Sequence, residues 1–190
     1  ERVGCCVEQH QHAVGLVDLA AAMLHEEVAR SPVMRDPDVG HRGIADRFGE
    51  LMARWWREND PGSKDEPRWD NLSFDAAAWK TMDLPSAWES AGLPNFDGLV
   101  WFRLEIELPA AWAGKEAILR LGPIDDRDTT WVNGVRVGEG DDWTAPRVYK
   151  VPAGTLVAGR NVIAVRVLDT GGGGGITGAP DQFSLELAGG

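Results

Sequence analysis

The chain has 190 residues, 43% of them hydrophobic and 26% charged, a composition that suits a globular domain of about 120 to 150 residues plus an appendage. Asp and Glu number 30 against 19 Lys and Arg, a net charge of -11 with no basic cluster to offset it, so nucleic acid is excluded as an expected partner. No apolar run approaches the roughly 18 residues that cross a bilayer, so no membrane span is expected either.

The opening stretch ERVGCCVEQHQH has neither the basic start nor the apolar middle of a signal peptide, and it reads as an unstructured, trimmed terminus. Cys5 and Cys6 are the only cysteines; as neighbours they cannot staple distant segments, and with His10 and His12 they lack the usual zinc spacing. No metal site is therefore expected there. Val14, Val17, Leu19, Met23, Leu24 and Val28 recur at roughly helical spacing before Pro32, and a second helical pattern runs from about Ile44 to Glu58. Asn59-Asp60-Pro61-Gly62 breaks that helix, and PGSKDEP reads as a linker. Trp55-Trp56 is expected to dock the helix on the body of the domain.

Past about Trp69 the texture changes to short apolar segments separated by Gly, Pro and Asp, which predicts an all-β sandwich. The expected division is a helical lead-in over 1–66 and a β-sandwich over 67–190. In WFRLEIEL, Phe102, Leu104, Ile106 and Leu108 alternate with Trp101, Arg103, Glu105 and Glu107, giving one buried and one polar face. Further strands are predicted at 117–121, 129–133, 135–138, 147–151, 162–168 and 183–187. Asn133-Gly134 supplies the two left-handed residues of a type I′ hairpin.

Three segments in this order, GLVWFRLEIELP, LRLGPIDDRDTTWVNGVRVG and VPAGTLVAGRNVIAVRVLDTGGGGGI, resemble the sugar-binding jelly roll of glycoside hydrolase family two enzymes. Gly171 to Gly175 directly after NVIAVRVLDT, with GPIDDRDTTWVNG and RVYKVPAG, resemble more narrowly the domain inserted in the SGNH hydrolase domain of sialate O-acetylesterases. The resemblance covers roughly Ile44 to Gly190. It implies a galactose-binding-domain-like jelly roll, mainly β, with an N-terminal helical segment. It also implies an SGNH catalytic domain as partner and an acetylated sugar or polysaccharide as ligand. A secreted or periplasmic parent is expected, although the compartment is not fixed by the sequence.

Such esterases use a serine assisted by histidine and aspartate. Neither motif accompanies Ser31, Ser63, Ser73, Ser86, Ser90 or Ser184, and His10, His12, His25 and His41 all precede the sandwich. No catalytic residue and no cofactor are therefore expected, and the resemblance implies a non-catalytic domain that supports its host's sugar pocket. Two alternatives stay open: an independent carbohydrate-binding module, and a self-contained esterase with an unrecognised site.

The glycine run lacks the Lys-Ser or Lys-Thr of a phosphate loop, and in related jelly rolls the corresponding loop reaches toward the neighbouring active site. By that resemblance Gly173 and Ile176 line the pocket or the interface, with Asp97 or Asp126 beside them. Asp125, Asp126 and Asp128 read first as turn chemistry; a structural calcium is left open rather than predicted, since they supply too few oxygens. Nine tryptophans are a heavy load, and most, Trp79 and Trp131 among them, are expected in the core. Phe96, Trp101 and Trp143 are expected to be the exposed, sugar-facing aromatics.

Overall fold

The structure, a computed structural model, describes the backbone of residues 4–10 and residues 50, 53–54, 56–58 and 60–189. The predicted helix of residues 14–30 lies outside the described residues; of the second, residues 50, 53, 54 and 56–58 are described and helical. No helix among the described residues is long and apolar enough to cross a membrane.

Among the described residues eleven strands build two antiparallel sheets. The first has six strands in the order β2 (Lys80–Asp83), β1 (Gly4–His10), β4 (Gly98–Leu108), β9 (Gly159–Asp169), β6 (Arg127–Val132), β7 (Val135–Gly140). The second is centred on β5 (Ala117–Asp125): β8 (Pro146–Val151) lies along one edge, and β11 (Ser184–Leu187) and β10 (Gly175–Ile176) share the other, with β3 (Ser86–Ala87) beyond β10. This is the expected mainly β sandwich. Gly4–His10, read from sequence as an unstructured terminus, instead pairs with both β2 and β4.

Inward-facing Val100 and Phe102 of β4 and Ile163, Val165 and Val167 of β9 meet Ala117, Leu119 and Leu121 of β5 and Tyr149 and Val151 of β8 in the core. Between β6 and β7, Asn133 (φ 49°) and Gly134 (φ 82°) form the left-handed pair that the sequence predicts. The Asn133 side chain locks the turn: its Nδ2 donates to Thr155 O (2.9 Å) and Asn161 Oδ1 (2.8 Å), and its Oδ1 accepts the Val162 N–H (2.8 Å).

The opposite face of the six-stranded sheet departs from expectation. Alternation correctly sets Trp101 and Arg103 opposite Phe102, but both are buried rather than exposed, because residues 56–79 lie across that face. Trp101 stacks on Trp131 with centroids 5.1 Å apart, and Trp69 meets it edge-on at 5.9 Å. Buried Asp60 fixes the segment, accepting from Trp101 Nε1 (2.8 Å), from Arg166 Nη1 (2.7 Å) and from Ser63 Oγ (2.5 Å). Arg103 donates to the carbonyls of Trp69 (2.9 Å) and Phe74 (3.1 Å). The Arg166 guanidinium lies 3.7 Å from the ring centre of Trp56, so Trp56 docks on the sheet as expected, while Trp55 lies outside the described residues. The PGSKDEP stretch is consequently no free linker: Pro61–Lys64 is helical, and buried Gly62 packs so closely that a Cβ there would come within 2.5 Å of the Trp101 ring.

Candidate functional site

Register places one set of chain ends together. Gly98 of β4 faces Asp169 of β9, Arg127 of β6 faces Leu168, and Gly140 of β7 faces Asp128. In the other sheet Pro146 of β8 pairs with Pro123 of β5, and Gly175 of β10 pairs with Asp125 of β5 and Ala87 of β3. Asp126 alone separates β5 from β6, joined to Asp125 by a cis peptide, so these ends of the two sheets form a single rim.

The glycine loop is the centre of that rim, and three carboxylates grip its backbone. Asp126 Oδ2 accepts from Thr170 N (3.0 Å) and Thr170 Oγ1 (2.7 Å), Asp169 Oδ1 from Gly171 N (2.8 Å), and Glu89 Oε1 from Gly174 N (3.0 Å). Gly171 to Gly173 are exposed, whereas Gly174 and Gly175 are buried. The glycines have distinct causes. Gly172 holds φ 101°, which side chains rarely adopt, while at Gly174 a Cβ would stand 2.7 Å from Asp169 Oδ2 and collide with the Trp88 ring.

Negative charge gathers here, with the Arg127 guanidinium beside Asp126 favouring that residue's ionised form. Burial lifts the Asp125 carboxyl to about 7, helped by its hydrogen bond to Asp126 and by the charges of Asp126, Asp169 and Glu89. Burial likewise lifts Asp169 to about 6 against the lowering effect of the Gly171 N–H, with Asp126, Asp97 and Glu89 adding to the rise. At Asp126 burial also pushes upward, but the bonds from Thr170 and Asp125 outweigh it and hold the carboxyl below its ordinary range. Asp169 is fully buried, and its Oδ2 has no partner among the described residues. Half-buried Asp125 and Asp126 are thus pushed in opposite directions, the first toward its neutral and the second toward its ionised form, a pair suited to donate to and accept from hydroxyl groups. Among the described residues no group of three or more His, Cys, Asp or Glu is arranged to hold a metal ion.

The residues expected at the site divide. Asp126, half-buried Asp97 and exposed Gly173 lie on this rim, and Trp143 is 61% exposed on the adjoining loop between β7 and β8. Phe96 is buried instead, edge-on to Trp88 at 5.9 Å, with its carbonyl accepting Trp88 Nε1 (3.0 Å). Trp101 is buried on the outer face. Ile176 belongs to the core, because β10 inserts between β3 and β5 and turns it inward. Sequence reasoning missed Glu89, Asp169, Thr170 and Arg147. Asp169-Thr170 directly precede the glycine run and could have been noticed; nothing in the local sequence marks Glu89.

The described serines, none of which carries a nucleophile motif, make local hydrogen bonds: Ser86 and Ser90 donate to the backbone carbonyls of Asp83 and Ala87, and Ser63, Ser73 and Ser184 to the side chains of Asp60, Asn71 and Glu186.

Residues 46–189 match the family model described as the sugar binding domain of glycosyl hydrolases family 2. The chain belongs to this family. It is 26% identical over 117 residues to a β-galactosidase of Psychromonas ingrahamii, covering 52% of this chain and 11% of that protein. It is 34% identical over 95 residues to a β-glucuronidase of Felis catus, covering 44% of this chain and 15% of that protein. A crystal structure of a glycosyl hydrolase family 2 member from Bacteroides cellulosilyticus DSM 14838 superposes with a TM-score of 0.50 at 25% identity, over 56% of this chain and 17% of that one. The sugar binding domain therefore spans only a small part of the length of the relatives it matches. Of the two resemblances in the sequence, these matches reach the broader, the glycoside hydrolase family two jelly roll, and not the esterase insert.

Proposed function

We propose that this chain is the non-catalytic sugar-binding sandwich of a larger carbohydrate O-acetylesterase that resembles the sialate O-acetylesterases without being bound to their acidic sugar, and that its glycine-lined rim forms part of the sugar pocket of an SGNH catalytic domain. The observation that carries this reading is the rim itself, where Asp126, Asp169 and Glu89 fix the backbone of Thr170 to Gly174 while Gly171 to Gly173 stay open to a neighbour. A loop held by its own carboxylates has its ordering cost met before anything docks, and one without side chains lets a sugar or a second domain approach its backbone. Family membership supports the carbohydrate association. The esterase type is supported by the run of GPIDDRDTTWVNG, RVYKVPAG and the glycines after NVIAVRVLDT. Chemistry would reside in the partner domain, since function belongs to sites and not to folds.

The test is acetate release by the parent protein. The coding sequence flanking this domain is expected to supply an SGNH serine before it and an Asp-His pair after it. The parent should deacetylate an acetylated sugar, and replacing Gly172 and Gly173 by Val should lower kcat/KM at least tenfold, about 1.4 kcal/mol of transition-state binding. A parent that cleaves glycosidic bonds and releases no acetate would overturn the esterase type, and an unchanged kcat/KM would remove the rim from the pocket. An independent carbohydrate-binding module is the second reading, favoured by the exposed Trp143.

A further inference from the structure

Trp143 stands apart from the other described tryptophans. It is 61% exposed, yet the loop that carries it is hydrogen-bonded to a buried arginine. Asp142 Oδ1 accepts from Thr144 N (2.9 Å) and Thr144 Oγ1 (2.7 Å), closing a small turn around the indole. Beneath it lies Arg147, only 4% exposed. Its Nη1 donates to the carbonyls of Asp142 and Ala145 (both 2.5 Å), its Nη2 to Ile124 O (2.8 Å), and its Nε to Asp128 Oδ1 (2.6 Å). Asp128 in turn accepts from Tyr149 OH (2.8 Å) and Thr130 Oγ1 (3.0 Å). One guanidinium therefore ties the Trp143 loop to the end of β5, a residue before the Asp125-Asp126 corner that grips the glycine loop.

This anchorage has a cost. Burying an ion pair contributes little net stability compared with apolar packing of the same volume. Strand β7 gives up side chains to make room: at Gly140 a Cβ would come within 2.5 Å of Arg147 Nε, and at Gly138 it would collide with the Tyr149 ring. What the arrangement secures is the backbone that carries an exposed aromatic ring. A platform whose geometry is fixed beforehand loses less entropy when a ligand stacks on it.

The surroundings select the ligand. Asp141, Asp142 and Thr144 flank the indole and are exposed, so the aromatic face sits among hydrogen-bonding groups rather than in an apolar patch. One flat apolar face bordered by polar groups suits the hydrogen-bearing face and hydroxyl edge of a pyranose. Asp141 and Asp142 beside the indole, with Glu89, Asp97 and Asp126 on the adjoining rim, oppose a carboxylated sugar. We infer that Trp143 is a stacking platform for the ring of a neutral saccharide, with Arg147 as its positioning residue. The choice of a sugar and of Trp143 rests on the proposed function; the anchoring role of Arg147 and the neutrality of the ligand go beyond it.

Affinity electrophoresis of the 190-residue chain through gels containing acetylated xylan tests the platform. The chain should be retarded, Trp143→Ala should weaken binding at least tenfold at unchanged melting temperature, and Trp143→Phe should restore part of it. Arg147→Lys, which keeps the charge and loses the fork, should weaken binding severalfold; if that variant fails to fold, the two Trp143 variants decide. Methyl β-xyloside should compete and N-acetylneuraminic acid should not. Equal retardation of the chain and Trp143→Ala would overturn the platform and leave the accessory-domain reading intact, which the acetate-release assay decides separately. An unretarded chain, or competition by N-acetylneuraminic acid stronger than by the xyloside, would also overturn the inference.

Discussion

The outer face of the six-stranded sheet and the rim at its end use the same residue types to opposite effect. On the face, Trp69, Trp101 and Trp131 are sealed under residues 56–79, and the buried Asp60 carboxylate satisfies both an indole and a guanidinium. On the rim, Trp143 stays in solvent while carboxylates hold backbone amides of a loop without side chains. An aromatic-rich surface is thus no sign of a sugar site by itself. What distinguishes the proposed recognition surface is an exposed ring on a backbone that a buried guanidinium holds.

That contrast can be broken first at Trp101. Trp101→Ala removes a fully buried ring stacked on Trp131 and leaves Asp60 short of a donor, so chemical denaturation should show a loss of about 3 to 5 kcal/mol. A loss near zero would mean that residues 56–79 do not cover the face. Gly174→Val comes next: its side chain would press on Trp88 and the Asp169 carboxylate, and a loss of about 1 to 3 kcal/mol is expected in the same assay. Trp143→Ala should stay within about 0.5 kcal/mol of the parent chain, because its ring is mostly in water.

The sequence makes the sandwich legible where local rules suffice. Period-two alternation over Trp101 to Leu108 and the Asn133-Gly134 pair depend on neighbours in the chain, and both strand and turn form as predicted. Alternation also names the side on which Trp101 lies, but not what lies on top of it. That depends on Asp60, 41 residues earlier, whose carboxylate reads locally as part of a helix-ending turn. The strand Gly4–His10 is hidden for the same reason, since its pairing partners are Lys80–Asp83 and Gly98–Leu108. At the rim the glycine run and Asp126 were visible in the sequence. Arg147 was not, because a lone arginine in RVYKV reads as the outward residue of an alternating strand until the backbone places four acceptors around it.

The rim's charge yields a subtler test. Asp125 is raised to about 7 and Asp169 to about 6, so the fold favours their neutral forms. Their stabilising contribution is complete below the unfolded carboxylate range, about 4, and is lost as pH rises through the folded values. Denaturation midpoints should therefore fall between about pH 5 and pH 8, and Asp125→Asn, neutral throughout, should flatten the slope. An unaltered slope would mean that Asp125 ionises as freely in the folded chain as in the unfolded one.

The most direct test of the contrast is nuclear magnetic resonance of the labelled chain during titration with neutral acetylated xylo-oligosaccharides, read at the indole Nε1–H signals and the backbone amides. Trp143 and residues 170–174 should shift together, while the indoles of Trp69, Trp101 and Trp131 stay still. Shifts confined to those three buried indoles, with Trp143 unmoved, would contradict the assignment of recognition to the rim.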